Sequence, residues 1–221
     1  MTARPTDAAP VARGEIRPDL HAISTQIGDA VRRSPPRAGS TRVIAIDGLS
    51  GAGKSSLSQS LSCDLGAPIV HLDELYEGWG GLEEVGTPLR EWVIDRLIAG
   101  RNPRWQPWDW DSGVRSEHWL QVPRGPYLVI EGCGAGDVTI AASTSFLVWV
   151  QAPPTELDDR LQARHDWPWY QPNLRRWRAQ EARTHARNDT RARADAIVFN
   201  GTGTAVSFAT GADGRDHHRG G

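Results

Sequence analysis

Along the chain, short apolar runs alternate with longer segments whose apolar residues recur every three or four positions. In the segment Pro18 to Arg33, Leu20, Ile23, Ile27 and Val31 fall at such spacings, which predicts an amphipathic helix with one buried stripe. Ser34 to Ser40, with Pro35, Pro36 and Gly39, breaks that pattern. The runs Arg42 to Ile46, Ile69 to Leu72, Tyr127 to Ile130, Phe146 to Val150 and Ala196 to Phe199 are short and apolar, as expected of strands buried on both faces. Between them, Lys54 to Leu65, Thr87 to Ala99, Pro153 to His165 and Leu174 to Arg193 read as helices; Pro88 sits in a first turn and Gly100 just past an end. Strands alternating with helices predict a three-layer α/β domain, with a mainly parallel five-stranded sheet and helices on both faces. Ligands of such sheets bind outside the carboxyl ends of the strands.

The two ends differ from this middle. Met1 to about Gly14 mixes Pro, Ala, Asp and Arg and has the composition of disorder, and Gly201 to Gly221 is rich in Gly, Thr and Asp. The expected organisation is therefore an extension over 1–40 carrying one amphipathic helix, a folded domain over 41–200 and a disordered tail over 201–221. The pair His217 and His218 reads as part of a solvated tail rather than a metal site. A chain of 221 residues suits one ordinary domain.

A net charge of −2, with basic residues spread along the chain, makes nucleic acid and membrane surfaces unexpected partners. Cys63 and Cys133 are the two cysteines and form no metal-ligand or disulfide pattern. No apolar run approaches the roughly 20 residues of a membrane span, and the N-terminus lacks a signal-peptide core. A soluble, cytoplasmic protein is expected, its oligomeric state left open.

The strongest chemical signal follows the first strand. Gly48-Leu49-Ser50-Gly51-Ala52-Gly53-Lys54-Ser55-Ser56 contains GxxxxGK[ST] between an expected strand and an expected helix, the context that this phosphate-binding loop requires. Glycines let backbone N–H groups converge on phosphate oxygens, and the following helix N-terminus adds partial positive charge. Lys54 is the chain's sole lysine among many arginines; a compact ammonium on a flexible stem is what this position needs. It would reach the β and γ phosphates while Ser55 would ligate Mg²⁺.

Beyond the loop, the chain resembles the uridine kinase and phosphoribulokinase-like branch of P-loop kinases. Ile46 to Ser55 reads IDGLSGAGKS, similar to that family's loop. His71-Leu72-Asp73-Glu74-Leu75-Tyr76 is similar to its second strand ending, an Asp followed three residues later by Tyr. Trp108-Asp109-Trp110 with Arg115 downstream is similar to its nucleoside-pocket segment, Val129-Ile130-Glu131-Gly132 to its Glu-Gly strand ending, and Asp159 to Arg164 to its arginine-bearing lid helix. The resemblance implies ATP and Mg²⁺ as cofactors, Asp73 as general base near the metal and Glu131 as a further metal residue. It also implies Arg160 and Arg164 as lid arginines, and Tyr76, Trp108, Asp109, Trp110 and Arg115 as acceptor-binding residues. Two positions depart from the pattern: Gly113 stands where uridine kinases have a base-contacting His, and Glu77 to Leu82 where they have an Asp-rich, Pro-containing turn.

The residues agree with these roles on their own terms. Lys54 and Asp73 both follow strands and so fall at one edge of a parallel sheet, and phosphoryl transfer needs a carboxylate within reach of the acceptor hydroxyl. Ten tryptophans are present; Trp105, Trp108, Trp110 and Trp119 crowd into one irregular stretch where a flat acceptor would stack, and Trp79 between glycines suggests a flap. The reading is an ATP- and Mg²⁺-dependent kinase acting on a hydroxyl of a small, nucleoside-like molecule. A nucleotide-dependent switch without such an acceptor is the alternative.

Overall fold

The computed structural model describes residues 18–209. The expectations for the first seventeen residues and for His217 and His218 lie outside them. Helix α1 (Pro18–Arg33) leads to β1 (Arg42–Gly48), α2 (Lys54–Leu65) and β2 (Ile69–His71). A continuous helical stretch follows, made of α3 (Gly86–Leu89), a π-helical turn (Arg90–Ile94) and α4 (Asp95–Ile98). Four two-residue strands come next: β3 (Arg104–Trp105), β4 (Trp108–Asp109), β5 (Val114–Arg115) and β6 (Leu120–Gln121). They pair antiparallel as β3 with β6 and β4 with β5, forming a nested hairpin. The chain then returns through β7 (Tyr127–Glu131) and β8 (Thr144–Gln151) to α5 (Pro154–Gln162), α6 (Trp167–Tyr170), α7 (Leu174–Asn188) and α8 (Thr190–Arg193). It closes with β9 (Ala196–Phe199) and β10 (Ala205–Phe208).

The main sheet has the order β10-β9-β8-β1-β7-β2 and is parallel apart from its β10 edge. It therefore has six strands rather than the five expected. The sixth falls inside the stretch read as a disordered tail, where Ala205 to Phe208 pairs with β9; four residues with partly exposed side chains are too short a signal against a Gly/Thr-rich background. Successive residues of β1 serve opposite faces. Val43 and Ala45 pack with the helical stretch after β2 and with Trp177 of α7, whereas Ile44 and Ile46 pack with α1, α2 and Leu157 of α5. The stripe Leu20, Ile23, Ile27 and Val31 is buried, and Ser24 ties α1 to Ser60 and Asp64 of α2. No described helix is long and apolar enough to cross a membrane.

Two helices stop short of their expected ends. α5 ends at Gln162, so Arg164 lies beyond it rather than one turn above Arg160. The expected helix over Leu174 to Arg193 breaks at Asp189, which takes a left-handed φ of 44°.

Candidate active site

The loop after β1 takes its shape from close approaches that only glycine allows. Gly48 has φ 146°, and a Cβ there would lie 2.1 Å from the Val150 carbonyl oxygen; at Gly53, φ 96°, it would lie 2.1 Å from Asn200 Nδ2. So wrapped, the loop turns Lys54 Nζ inward, where it donates to the carbonyls of Gly48 (2.9 Å) and Leu49 (3.0 Å). Burial works against this ammonium, but the carboxylates of Glu131, Glu181 and Asp47 around it more than offset that and raise its pKa. Lys54 is thus charged and held beside the loop before any anion arrives.

The metal-ligand candidates meet next to it. The Ser55 hydroxyl, at the start of α2, donates to Glu131 Oε1 (3.2 Å) at the end of β7, and the same oxygen pairs with His71 Nδ1 (2.7 Å) at the end of β2. That hydrogen bond is the main cause of a raised His71 pKa. Asp73 sits in the 3-10 turn directly after β2, exposed, and lines the same cavity as Ser55 and Glu131. Hydroxyl and carboxylate oxygens suit Mg²⁺, which takes one or two carboxylates and leaves its other positions to phosphate and water. Among the described residues no group of three or more His, Cys, Asp or Glu could by itself hold a metal ion.

Behind the loop lies a buried acid network that the sequence did not advertise. Asp47, fully buried, accepts from the amides of Gly48 (2.7 Å), Gly134 (2.9 Å) and Gly136 (2.9 Å) and pairs with His185 (3.2 Å). Burial pushes its carboxyl up, but these bonds and the His185 charge prevail and lower its pKa. Glu181 of α7, also buried, accepts from Ser50 N (2.8 Å), Ser50 Oγ (2.7 Å) and the Cys133 thiol (3.1 Å). One turn earlier Trp177 Nε1 donates to Ser50 Oγ (3.0 Å), and Gln180 reaches the Trp79 carbonyl (2.7 Å). Helix α7 therefore clamps the phosphate loop and the Trp79 segment together. Burial raises the Cys133 thiol pKa, so it stays protonated and acts as a donor.

One cavity of about 390 Å³ joins these parts, within the size range of small-molecule sites. Its phosphate end is lined by Ser50, Gly51, Gly53, Lys54, Ser55 and Ser56; Ala52 faces inward, its carbonyl accepting from Asn200 Nδ2 (2.8 Å). Gly48 contributes through its carbonyl rather than at the wall. Arg160 and Arg164 both line the cavity, and both are engaged. Arg160 bonds Glu156 (2.6 Å) and the Asn200 carbonyl (2.8 Å), and Arg164 grips both oxygens of Asp166 (2.8 and 2.6 Å).

Of the expected acceptor residues, Tyr76 and Trp110 line the cavity. Trp108, Asp109 and Arg115 do not. Trp108 lies against Gly78 with Arg115 over its ring. Asp109 is exposed and accepts from the Asp111 and Ser112 amides and the Ser112 hydroxyl, closing its own turn. Arg115 donates to the carbonyls of Leu75 (2.7 Å) and Gln106 (3.0 Å) and pins the hairpin to the turn after β2. The expected stacking stretch also disperses: Trp105 is buried with its Nε1 on Glu74 (2.7 Å), and Trp119 is exposed against Trp92. The aromatic wall comes instead from Trp79, Trp110, Trp169, Tyr170 and Trp177. The run Trp167-Pro168-Trp169-Tyr170 was the signal that could have found part of it.

The fold and the loop together define a P-loop protein of kinase architecture. No family model and no curated protein matches the chain. Among solved structures, it is similar to a possible uridine kinase from Bacillus stearothermophilus, with 18% identity and a TM-score of 0.60 over 82% of this chain and 100% of that one. It is also similar to a candidate fructose transport system kinase from a Silicibacter species, with 22% identity and a TM-score of 0.48 over 74% of this chain and 94% of that one. The first of these establishes the P-loop kinase fold.

Proposed function

We propose that the protein is an ATP- and Mg²⁺-dependent kinase that phosphorylates a hydroxyl of a small, ring-bearing, nucleoside-like acceptor. The observation that carries this reading is a single cavity lined by Lys54, Ser55 and the phosphate loop together with aromatic rings and Asp73. A switch that only binds and releases nucleotide needs no such chamber beyond the phosphates.

In this reading the loop amides and Lys54 take the β and γ phosphates, and the N-terminus of α2 adds its partial charge. Ser55, Glu131 and Asp73 would hold Mg²⁺, which would neutralise phosphate charge there. Asp73 accepts the proton of the acceptor hydroxyl as that oxygen bonds to the γ phosphorus and the bond to the ADP oxygen breaks. Arg160 and Arg164 face the transferring group and stabilise charge on its oxygens. Positioning and electrostatics account for the chemistry, with no covalent enzyme intermediate.

The test is ADP release with Mg²⁺ and ATP across nucleosides, nucleoside monophosphates and small alcohols, for the wild type, Lys54→Ala and Asp73→Asn. Acceptor-stimulated release lost in both variants is the expected result. Nucleotide binding that depends on Lys54, with no acceptor raising turnover and no effect of Asp73→Asn, would leave a nucleotide-dependent switch.

A further inference from the structure

Building on the kinase reading, we propose that the acceptor is an uncharged alcohol with a flat ring body, gripped by ring faces in a box formed by Trp79, Trp110, Trp169, Tyr170 and Trp177. It carries no phosphate or carboxylate, and the protein does not read the hydrogen-bonding edge of its ring.

The shape comes first. Trp79 stands at the centre, with ring centroids 4.6 Å from Trp169, 5.1 Å from Tyr170, 5.4 Å from Trp110 and 5.8 Å from Trp177. Trp110 and Trp169 meet nearly at right angles, 85°, at 5.3 Å. Perpendicular rings expose faces and edges on adjoining walls, the geometry into which another flat ring packs. Trp79, Trp110 and Trp169 remain partly exposed while lining the cavity.

Three polar handles around the cavity are turned into the protein. Trp110 Nε1 donates to the Asp73 carbonyl (2.9 Å), Trp177 Nε1 to Ser50 Oγ (3.0 Å) and the Tyr76 hydroxyl to the Cys133 carbonyl (2.7 Å). The Tyr170 hydroxyl is buried with no partner in hydrogen-bond geometry, although Ser50 lies near enough to ease the burial-driven rise of its pKa. Sites that hydrogen-bond a substrate's polar groups discriminate by about 10⁴-fold or more, whereas apolar pockets reach roughly 10- to 200-fold. This box belongs to the second kind.

Charge narrows the class further. The two wall arginines are paired with Glu156 and with the buried Asp166 and, in the kinase reading, serve the transferring phosphoryl group, and Lys54 belongs to the phosphate loop. An anionic body would lose its hydration without gaining an uncommitted cation. A cationic one would meet the Arg164 guanidinium, whose carbon already sits 5.4 Å from the Tyr170 ring centroid.

Calorimetric titration of the full chain separates binding from transfer when run without nucleotide and again with Mg²⁺ and a non-hydrolysable ATP analogue. The probes are 2-phenylethanol, its para-carboxylate analogue, uridine and adenosine. We expect 2-phenylethanol and both nucleosides to bind, the nucleosides within about tenfold of each other, and the carboxylate at least about tenfold more weakly than its parent. Trp169→Ala should weaken 2-phenylethanol about tenfold, with Trp169→Phe restoring it to within about threefold and circular dichroism unchanged in both. The proposal is overturned if no uncharged ring alcohol binds under either condition, if the carboxylate binds as tightly as its parent, or if one nucleoside is preferred more than about a hundredfold. Ring alcohols that bind but are never phosphorylated would remove the kinase reading and keep the box. Phosphorylation of an anionic acceptor would keep the kinase reading and remove the box.

Discussion

The two ends of the cavity are built by different rules. The phosphate end comes from consecutive residues at the carboxyl edge of β1, and most of its bonds run through the backbone or to it, as with Lys54 on the carbonyls of Gly48 and Leu49. The aromatic end gathers side chains from the turn after β2, the hairpin, α6 and α7, and it has few polar atoms to offer. Phosphate chemistry is the same in every nucleotide, so backbone amides and one ammonium suffice and little can vary. Acceptor bodies differ, and that end consists of side chains replaceable one at a time on a fixed frame.

The comparison breaks most sharply at the phosphate end. Lys54→Ala should lower acceptor-dependent turnover by at least about 10³-fold, because a preorganised charge in a water-poor site is lost. Asp73→Asn should lower kcat by between about 10²- and 10⁴-fold while nucleotide affinity changes little, since a neutral amide cannot take the hydroxyl proton. Steady-state rates with a saturating acceptor and nucleotide titrations check both. An Asp73→Asn enzyme with wild-type kcat would remove the base from the mechanism.

The same contrast explains what could be read beforehand. The loop and the strands over Arg42 to Ile46 and Tyr127 to Ile130 were legible because glycine spacing and apolar runs act locally. The ends of β2 and β7 brought Asp73 and Glu131 to the loop as parallel topology requires. Trp177 was hidden in a helix that reads as polar and arginine-rich, its one buried face marked by Trp177, Gln180, Glu181, Thr184 and Asn188. Proximity in sequence also misled: Trp105, Trp108, Trp110 and Trp119 lie close along the chain, but they are divided between two separate short strands and the turns beside them, and only Trp110 reaches the cavity.

The buried acids sharpen the comparison from behind, through stability rather than rate. Asp47 holds three amides and His185 with no solvent contact, so Asp47→Asn should cost about 3 kcal/mol at pH 7. Its folded-state pKa is lowered. The stability it contributes is therefore fully present above the unfolded value of about 3.9 and is lost as pH falls through the folded one. Urea titrations of both proteins should show a gap that is constant from pH 7 to pH 5 and narrows below about pH 4. A gap independent of pH would mean that Asp47 acts through shape rather than charge.

The smallest effect tests the boundary of the acceptor end. Asp109 occupies a position that resemblance assigns to acceptor recognition, yet it is exposed and its oxygens serve the turn at Asp111 and Ser112. Asp109→Ala should then leave kcat and the acceptor KM within about threefold of wild type, as for other surface changes, whereas Trp110→Ala, one residue away, should raise the acceptor KM about tenfold. The pair is informative because the two side chains leave the same short strand region in different directions: Trp110 Nε1 reaches back to the Asp73 carbonyl, and Asp109 folds over its own loop. A large KM effect at Asp109 would require the hairpin to swing over the cavity when the acceptor binds, placing its carboxylate where the aromatic box now opens.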